Sequence, residues 1–343
     1  MSVQETRPEE NGTEPQEAKP QTPTLSELLY EAISENNLDD ARAALERGAD
    51  PNGEDECFST DGVFQLAETK EMITLLYDHG AKVHKLHMKE PARSLLVGLS
   101  GADDEDDILA RLTREQYDAG SALRFGTANP HKMDVAFWNV MVEARCWAYS
   151  ARQKFRREGE GAFGTAPVWC FDRFGHSLTK LPDGGFVQIA GEHEDFYDPD
   201  FAIYNDVVVH HADSTAANPK FDIYGYPEDV FPPTDFHSAT YVPSQNAIYI
   251  IGNNGYSTEV DVKQRNEGVT PVYRLEVGTW KIQKMETTGD APGWIYKHQA
   301  SLEGQDIVVG PDLDEYLSDS TSYKRAQRYK VVEDGEAELV EIQ

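Results

Sequence analysis

Three segments in the C-terminal half of the chain read alike and recur at one fixed interval. They are Phe174-Gly175-His176-Ser177, Phe236-His237-Ser238-Ala239 and Lys297-His298-Gln299-Ala300-Ser301. The two intervals, 176 to 237 and 237 to 298, are both 61 residues. A constant period marks one supersecondary unit copied in tandem, and it constrains architecture more than any local propensity does. Soon after each histidine comes an apolar run that closes on glycine: 185–191, 247–252 and 306–310. Runs of this length, rich in Val, Ile and Tyr and bounded by glycine, predict buried strands. A third strand is expected at 205–210, 271–276 and 327–332, and a fourth at 220–224, 280–285 and 337–342. Each unit is therefore expected to be a small antiparallel sheet of four strands.

The N-terminal half has a different texture. Residues 1–23 are mostly Glu, Pro, Gln and Thr. Such a segment buries too little apolar surface to offset its chain entropy, and it is expected to be a disordered tail. From Leu25 the apolar residues Leu28, Leu29, Ala32 and Ile33 recur at helical spacing. Asn37 precedes a second helical stretch that begins with Asp39 and Asp40 and stops at Gly48, where a left-handed cap is expected. The scheme returns 32 residues later, with Gly80 after Leu75, Leu76 and Tyr77. Leu45 to Asn52 and Leu76 to Val83 resemble the second helix and hairpin turn of ankyrin repeats, over residues 24–100. Ser59-Thr60-Asp61-Gly62 stands where that family opens its first helix with a Thr-Pro-Leu-His-like turn. Residues 101–165 read as an acidic joint, Gly101 to Asp107, followed by a helical connector rich in Phe137, Trp138, Trp147 and Tyr149. Within that connector the segment Phe125 to Asp134 carries no readable pattern.

Residues 166–343 resemble the kelch repeat. The Gly-His-Ser opening, the second strand ending in glycine, the Asp-Val or Val-Tyr third strand and Trp280 at the start of a fourth strand carry the likeness. A diglycine is missing at the end of all three second strands. The resemblance implies β-propeller blades, about three of them, after a short ankyrin-type helical stack: a multidomain α-then-β chain. The same order of repeats is similar to that of bacterial ankyrin-repeat proteins. Three blades are fewer than the four to eight that ordinarily ring an axis, so either the connector completes the ring, or the sheets form an open wedge, or two protomers pool their blades as a homodimer through blade edges, the favoured expectation.

Charge narrows the partners. The chain has 61 acidic and 31 basic residues, a formal net charge of −30. That surface repels phosphate backbones and anionic lipid, which excludes nucleic acid and membrane as partners and favours a basic protein. No apolar run has the roughly 18–20 residues a spanning helix requires, and the first residues lack the pattern of a secretory signal. Cys57, Cys146 and Cys170 are odd in number and widely spaced, as expected of reduced thiols in a cytoplasmic protein.

Candidate sites follow from residue type. Gly191 to Asp200 holds Glu192, His193, Asp195 and Asp198 in one loop, an oxygen-rich set that suits a divalent cation, with the imidazole admitting zinc or iron. A solvated acidic loop explains the same residues. Phe196, Tyr197, Tyr226 and Phe231 belong to an aromatic-rich stretch suited to protein or carbohydrate recognition, or to core packing. His176, His237 and His298 could ring a metal, but equivalent positions in repeats recur because each unit needs the same hydrogen bond. Gly48, Gly80 and Trp280 are expected to be structural repeat positions. The function expected is non-enzymatic protein–protein interaction through ankyrin hairpins and blade loops, without a resident cofactor. The alternative is a metal-dependent enzyme or carbohydrate-binding module centred on loop 192–200.

Overall fold

The computed structural model describes residues 22–52, 66–81, 92–99, 105–159, 166–193, 201–215, 217–255, 269–289, 293–310, 327–331 and 337–341. Residues 1–21 of the tail expected over 1–23, and the irregular first helix expected near Ser59, lie outside these residues. Eight α-helices are described: α1 (Leu25–Ser34), α2 (Leu38–Glu46), α3 (Lys70–Asp78), α4 (Ala92–Leu96), α5 (Glu105–Leu109), α6 (Arg114–Gly120), α7 (Ala136–Ala144) and α8 (Ala148–Lys154). Thr24 and Glu27 form a reciprocal capping box that starts α1. Asn37 caps α2 by accepting from the Asp40 N–H at 3.2 Å. Gly48 and Gly80 follow the ends of α2 and α3 with φ of +96° and +85°, the left-handed geometry their spacing predicts.

The strands form three sheets. The first runs in the order β1-β5-β4-β3-β2, with β1 (His131–Lys132), β2 (Ser177–Lys180), β3 (Phe186–His193), β4 (Ala202–His210) and β5 (Phe221–Gly225). The second is β6-β7-β8-β9, with β6 (Ser238–Val242), β7 (Ala247–Ile251), β8 (Val272–Glu276) and β9 (Ile282–Lys284). In the third, β11 (Gln299–Glu303), β12 (Asp306–Gly310), β13 (Gln327–Val331) and β14 (Ala337–Glu341) are followed at the edge by β10 (Thr287–Gly289). Pairing is antiparallel throughout except between β10 and β14.

Two expectations are overturned here. The sheets are separate and do not close into a propeller. The helices are not a short ankyrin stack either, because they continue to Lys154 and share one apolar core with the first sheet. The architecture is mixed α/β in layers, and strand periodicity explains it. Along β4, Ala202, Tyr204 and Val208 face the helices, whereas Val207 and Val209 face the second sheet. Along β7, Ile248 and Ile250 pack on the first sheet, and Ala247, Tyr249 and Ile251 pack on the third. Strands covered on both faces read as unbroken apolar runs, which is why β4 and β7 look alike in sequence. At the far side of the third sheet, Arg328 pairs with Glu303 and Asp306. Among the described residues that face carries charged side chains.

The repeat resolves into a ladder between sheets. The Phe236 N–H donates to the Gly175 carbonyl at 2.7 Å, and the Lys297 N–H donates to the Phe236 carbonyl at 2.9 Å. These three equivalent residues all have left-handed backbone, with φ of +61°, +48° and +49°. Outside glycine that conformation costs roughly 1–2 kcal/mol. Beside this ladder, His237 Nε2 is hydrogen-bonded to Ser177 Oγ at 2.9 Å, and His298 Nε2 to Ser238 Oγ at 2.8 Å. The repeated histidines therefore tie each sheet to the one before it. His176, which has no sheet before it, meets the Arg173 carbonyl through Nδ1 at 2.8 Å.

A buried ion pair fixes the first sheet to the helices. Arg173 bonds the Asp206 carboxylate through Nη1 and Nη2, and the Trp169 indole N–H donates to the same carboxylate at 2.8 Å. The guanidinium lies 3.7 Å from the Tyr204 ring centroid, and Trp169 stacks on Trp138 of α7 at 4.5 Å. The unpatterned segment 125–134 also acquires a role. Lys132 pairs with Tyr224 at the sheet edge, the Gly126 N–H donates to the Tyr226 carbonyl, and the Asn129 side chain bonds both the N–H and C=O of Ile282. It straps the first sheet to the edge of the second.

Two outcomes test this arrangement. A Cβ on Gly252 would run into the Ile295 carbonyl and the His298 ring, whereas one on Gly278 meets nothing within 4 Å, and both glycines have positive φ. Gly278→Ala should cost about 1 kcal/mol in denaturant melts, and Gly252→Ala at least twice that. Arg173→Met leaves the Asp206 carboxylate buried and unpaired, so a loss of about 3–5 kcal/mol is expected in the same melts.

Candidate functional site

The candidate site is built at the C-terminal end of β3, where the chain must bend. Between Ile189 and Gly191 the β3–β4 register shifts by a bulge, with Ala190 and Gly191 at φ of +53° and +99°. A Cβ at Gly191 would clash with the Phe174 carbonyl and the His176 backbone, so only glycine allows this approach. Beyond the bulge, Glu192 and Phe174 exchange two backbone hydrogen bonds of 2.8 Å. Paired residues of this kind project to one face of a sheet, and the Phe174 ring is 38% exposed.

The Gly191 N–H also donates to the Thr234 carbonyl at 2.8 Å, which brings in Asp235 from the segment leading to the second sheet. Asp235 is fully buried. Its backbone N–H donates to Asn253 Oδ1 at 3.1 Å, its carbonyl accepts from the Asn254 N–H at 3.0 Å, and its Oδ1 accepts from the Gly255 N–H at 2.7 Å. No N–H reaches its buried Oδ2. The Glu192 carboxyl is its hydrogen-bonding neighbour, and a bond between two acids requires one of them to keep a proton. Burial pushes the Asp235 carboxyl above the usual range, against the Gly255 N–H and Glu192, which pull it down. Chemically, the arrangement holds negative charge at a rim, with a proton or a cation as the neutralising group.

The remaining expected site residues are dispersed. His193 is buried and packs edge-on against Trp147 at 6.1 Å, so it and Glu192 serve different neighbours. Trp147, expected as connector bulk, is 48% exposed. Asp195, Phe196, Tyr197 and Asp198 lie outside the described residues. Among those that are described, no group of three His, Cys, Asp or Glu side chains is placed to hold a metal ion. Tyr226 and Phe231, expected as recognition aromatics, are fully buried between the first two sheets. Their rings meet at 5.9 Å, and Phe231 packs on Tyr273. Trp280 lies in the same core, stacked on Tyr224, and its carbonyl accepts from the Tyr226 hydroxyl. The three repeat histidines line up along the ladder and each has its own partner. Burial, with the Arg93 charge, pushes His176 down to about 3 and keeps it neutral.

His210 and His211 stand at the opposite end of the first sheet, since His210 pairs with Phe186 while His193 pairs with Ala202. An open cleft of about 430 Å³ lies there, lined by Asn139, Glu143, His211, Pro219, Lys220 and Phe221. It is remote from the carboxyl pair. Asp235 itself was not marked by the sequence pattern. The one available signal is that Phe174, Asp235 and Tyr296 are equivalent positions of the repeat, and the acid is the odd member.

Comparisons with known proteins add little. No family model matches the chain, and no curated protein does. Among solved structures, one described as "Structure of YjhT" is similar with a TM-score of 0.32 and 13% identity, over 52% of this chain and 53% of that one. The chain thus spans about half the length of that protein.

The raised Asp235 carboxyl sets the sign of a pH effect. An acid whose proton is held more tightly in the folded state stabilises the fold at low pH, and this contribution fades as pH rises through the folded pKa. Asp235→Asn removes this contribution, so its melting temperature relative to the parent should climb as pH rises above about 4. A constant difference across that range would show that Asp235 does not titrate there.

Proposed function

We propose that this chain is a non-enzymatic binding protein that engages partners with a basic surface. The observation that carries the reading is the end of β3, where the exposed Phe174 is paired with the half-buried Glu192 and the exposed Trp147 packs on the next residue, His193, in a chain of net charge −30. Exposed aromatics supply contact area with few rotatable bonds to freeze, and a surrounding acidic field speeds encounter with positive partners. The layered fold supports a binding role because its repeated polar groups are engaged in holding the sheets together. No helix among the described residues is long and apolar enough to cross a membrane, and the cytoplasm is the compartment proposed.

The test uses the full chain as immobilised bait with purified basic and acidic proteins. Basic proteins should be retained at about 0.05 M salt and released at about 0.5 M, where the Debye length is only a few ångströms. Retention should fall in the Trp147→Ala, Phe174→Ala double variant. Retention indifferent to salt and to both aromatics would overturn the reading.

A further inference from the structure

We infer that Asn254-Gly255 is a self-modification site, at which the Gly255 backbone nitrogen attacks the Asn254 side-chain amide with Asp235 as the base. The inference goes beyond the binding role and does not depend on it. Three observations meet at this turn. First, an asparagine followed by glycine is the dipeptide best suited to ring closure, because no Cβ obstructs the attacking nitrogen. Second, the hydrogen on that nitrogen already points at a carboxyl oxygen. The Gly255 N–H donates to Asp235 Oδ1 at 2.7 Å, within the reach at which a base takes a proton. Third, the amide under attack can turn toward the nitrogen. The Asn254 N–H is fixed on the Asp235 carbonyl at 3.0 Å, but no hydrogen bond to a described residue holds its side chain, which is half-buried and within reach of water. Asn253 is the contrast, since its side chain accepts from the Asp235 N–H at 3.1 Å and donates to the Pro233 carbonyl at 3.2 Å.

The reaction is intramolecular and needs only water. Asp235 takes the Gly255 proton, the freed nitrogen bonds to Asn254 Cγ, and the Cγ–Nδ2 bond breaks. The proton leaves with the amide nitrogen as ammonia, which regenerates the carboxylate. Water then opens the cyclic imide on either side, giving aspartate at position 254 or its isoaspartate isomer, in which the main chain runs through the side-chain carbon. Burial holds the Asp235 carboxyl above the usual range, so its ionised form is a stronger base than an exposed aspartate. Each product changes the turn that joins the end of β7 to the segment before β6. The imide has no N–H left for Asp235 Oδ1, and isoaspartate lengthens the main chain beside it.

Ageing of the full chain at neutral pH and body temperature tests the site, with peptide mass spectrometry and isoaspartyl-methyltransferase labelling as the readouts. A synthetic peptide covering residues 249–260 gives the rate without the fold, and the same dipeptide at Asn52-Gly53 is an internal reference. Conversion at Asn254 should be at least about tenfold faster in the full chain than in the peptide. It should also outpace Asn52, whose side chain donates to the Gly80 carbonyl at 2.9 Å. Asp235→Asn keeps an oxygen acceptor but removes the base, so it should bring the Asn254 rate down to that of the peptide and leave Asn52 unchanged. Thermal melts check that this variant folds. Conversion slower in the parent than in the peptide would mean that Asp235 shields the Gly255 N–H, and would overturn the inference. A folded Asp235→Asn variant that converts as fast as the parent would overturn it too. The ratio of parent to peptide needs no variant, so the test stands even where Asp235→Asn does not fold.

Discussion

The structure depends on a short backbone ladder in which Gly175, Phe236 and Lys297 meet in left-handed conformation. Each rung brings the first strand of one sheet beside the first strand of the next, and the histidine that follows bonds the serine of the preceding sheet. Once these first strands are held, the remaining strands fan outward and can be covered on both faces. Two of the three left-handed positions carry side chains that disfavour the conformation. They persist because their N–H groups make the rungs of the ladder and their side chains find partners. Lys297 Nζ lies 4.8 Å from the Phe236 ring centroid, so the two strained residues support one another.

This constraint also marks the limits of what the sequence shows. The 61-residue period, the glycine ends of the second strands, the Asn37 cap of α2 and the glycines that follow α2 and α3 are readable because they depend on local chemistry. The left-handed state of Phe236 and Lys297 is not, since nothing in either residue type suggests it. Periodicity likewise reveals that a strand is buried but not what buries it. β4 and β7 have nearly the same apolar texture, yet one is covered by helices and a sheet and the other by two sheets. A propeller and a layered stack therefore look alike from strand patterns alone. They diverge in how the sheets are joined: three separate sheets, the first of which shares its core with the helices.

The same reasoning explains the aromatic residues. Tyr226 and Phe231 sit among Pro and Asp in sequence, a texture that suggests a surface loop. In the fold, the turn after β5 doubles back between the first two sheets. Asn205 holds it there by donating to the carbonyls of both Tyr226 and Phe231, at 3.0 and 2.6 Å. One buried amide on the adjacent strand, β4, decides that these rings are core. Trp147 shows the reverse. It follows the left-handed Arg145 at the end of α7, and that reversal of the chain carries it out of the apolar stripe of its own helix pair. Legibility of the candidate site was low for this reason: Glu192 was visible as one acid in a run of acids, while Phe174 and Asp235 become its neighbours only through the bulge and the ladder.

An open stack has a consequence that a closed ring would lack. In a ring, each sheet presents equivalent strand ends around an axis, and a site at one end repeats in every unit. Here the equivalent positions differ: Phe174 in the first unit, Asp235 in the second and Tyr296 in the third. Glu192 stands against the first two. The third position offers a ring that is 9% exposed in place of a carboxyl. Tandem copying supplied the backbone frame three times, but the acid and the exposed ring meet only where the first sheet joins the second. The symmetry of the repeat builds the scaffold, and the departure from that symmetry builds the site.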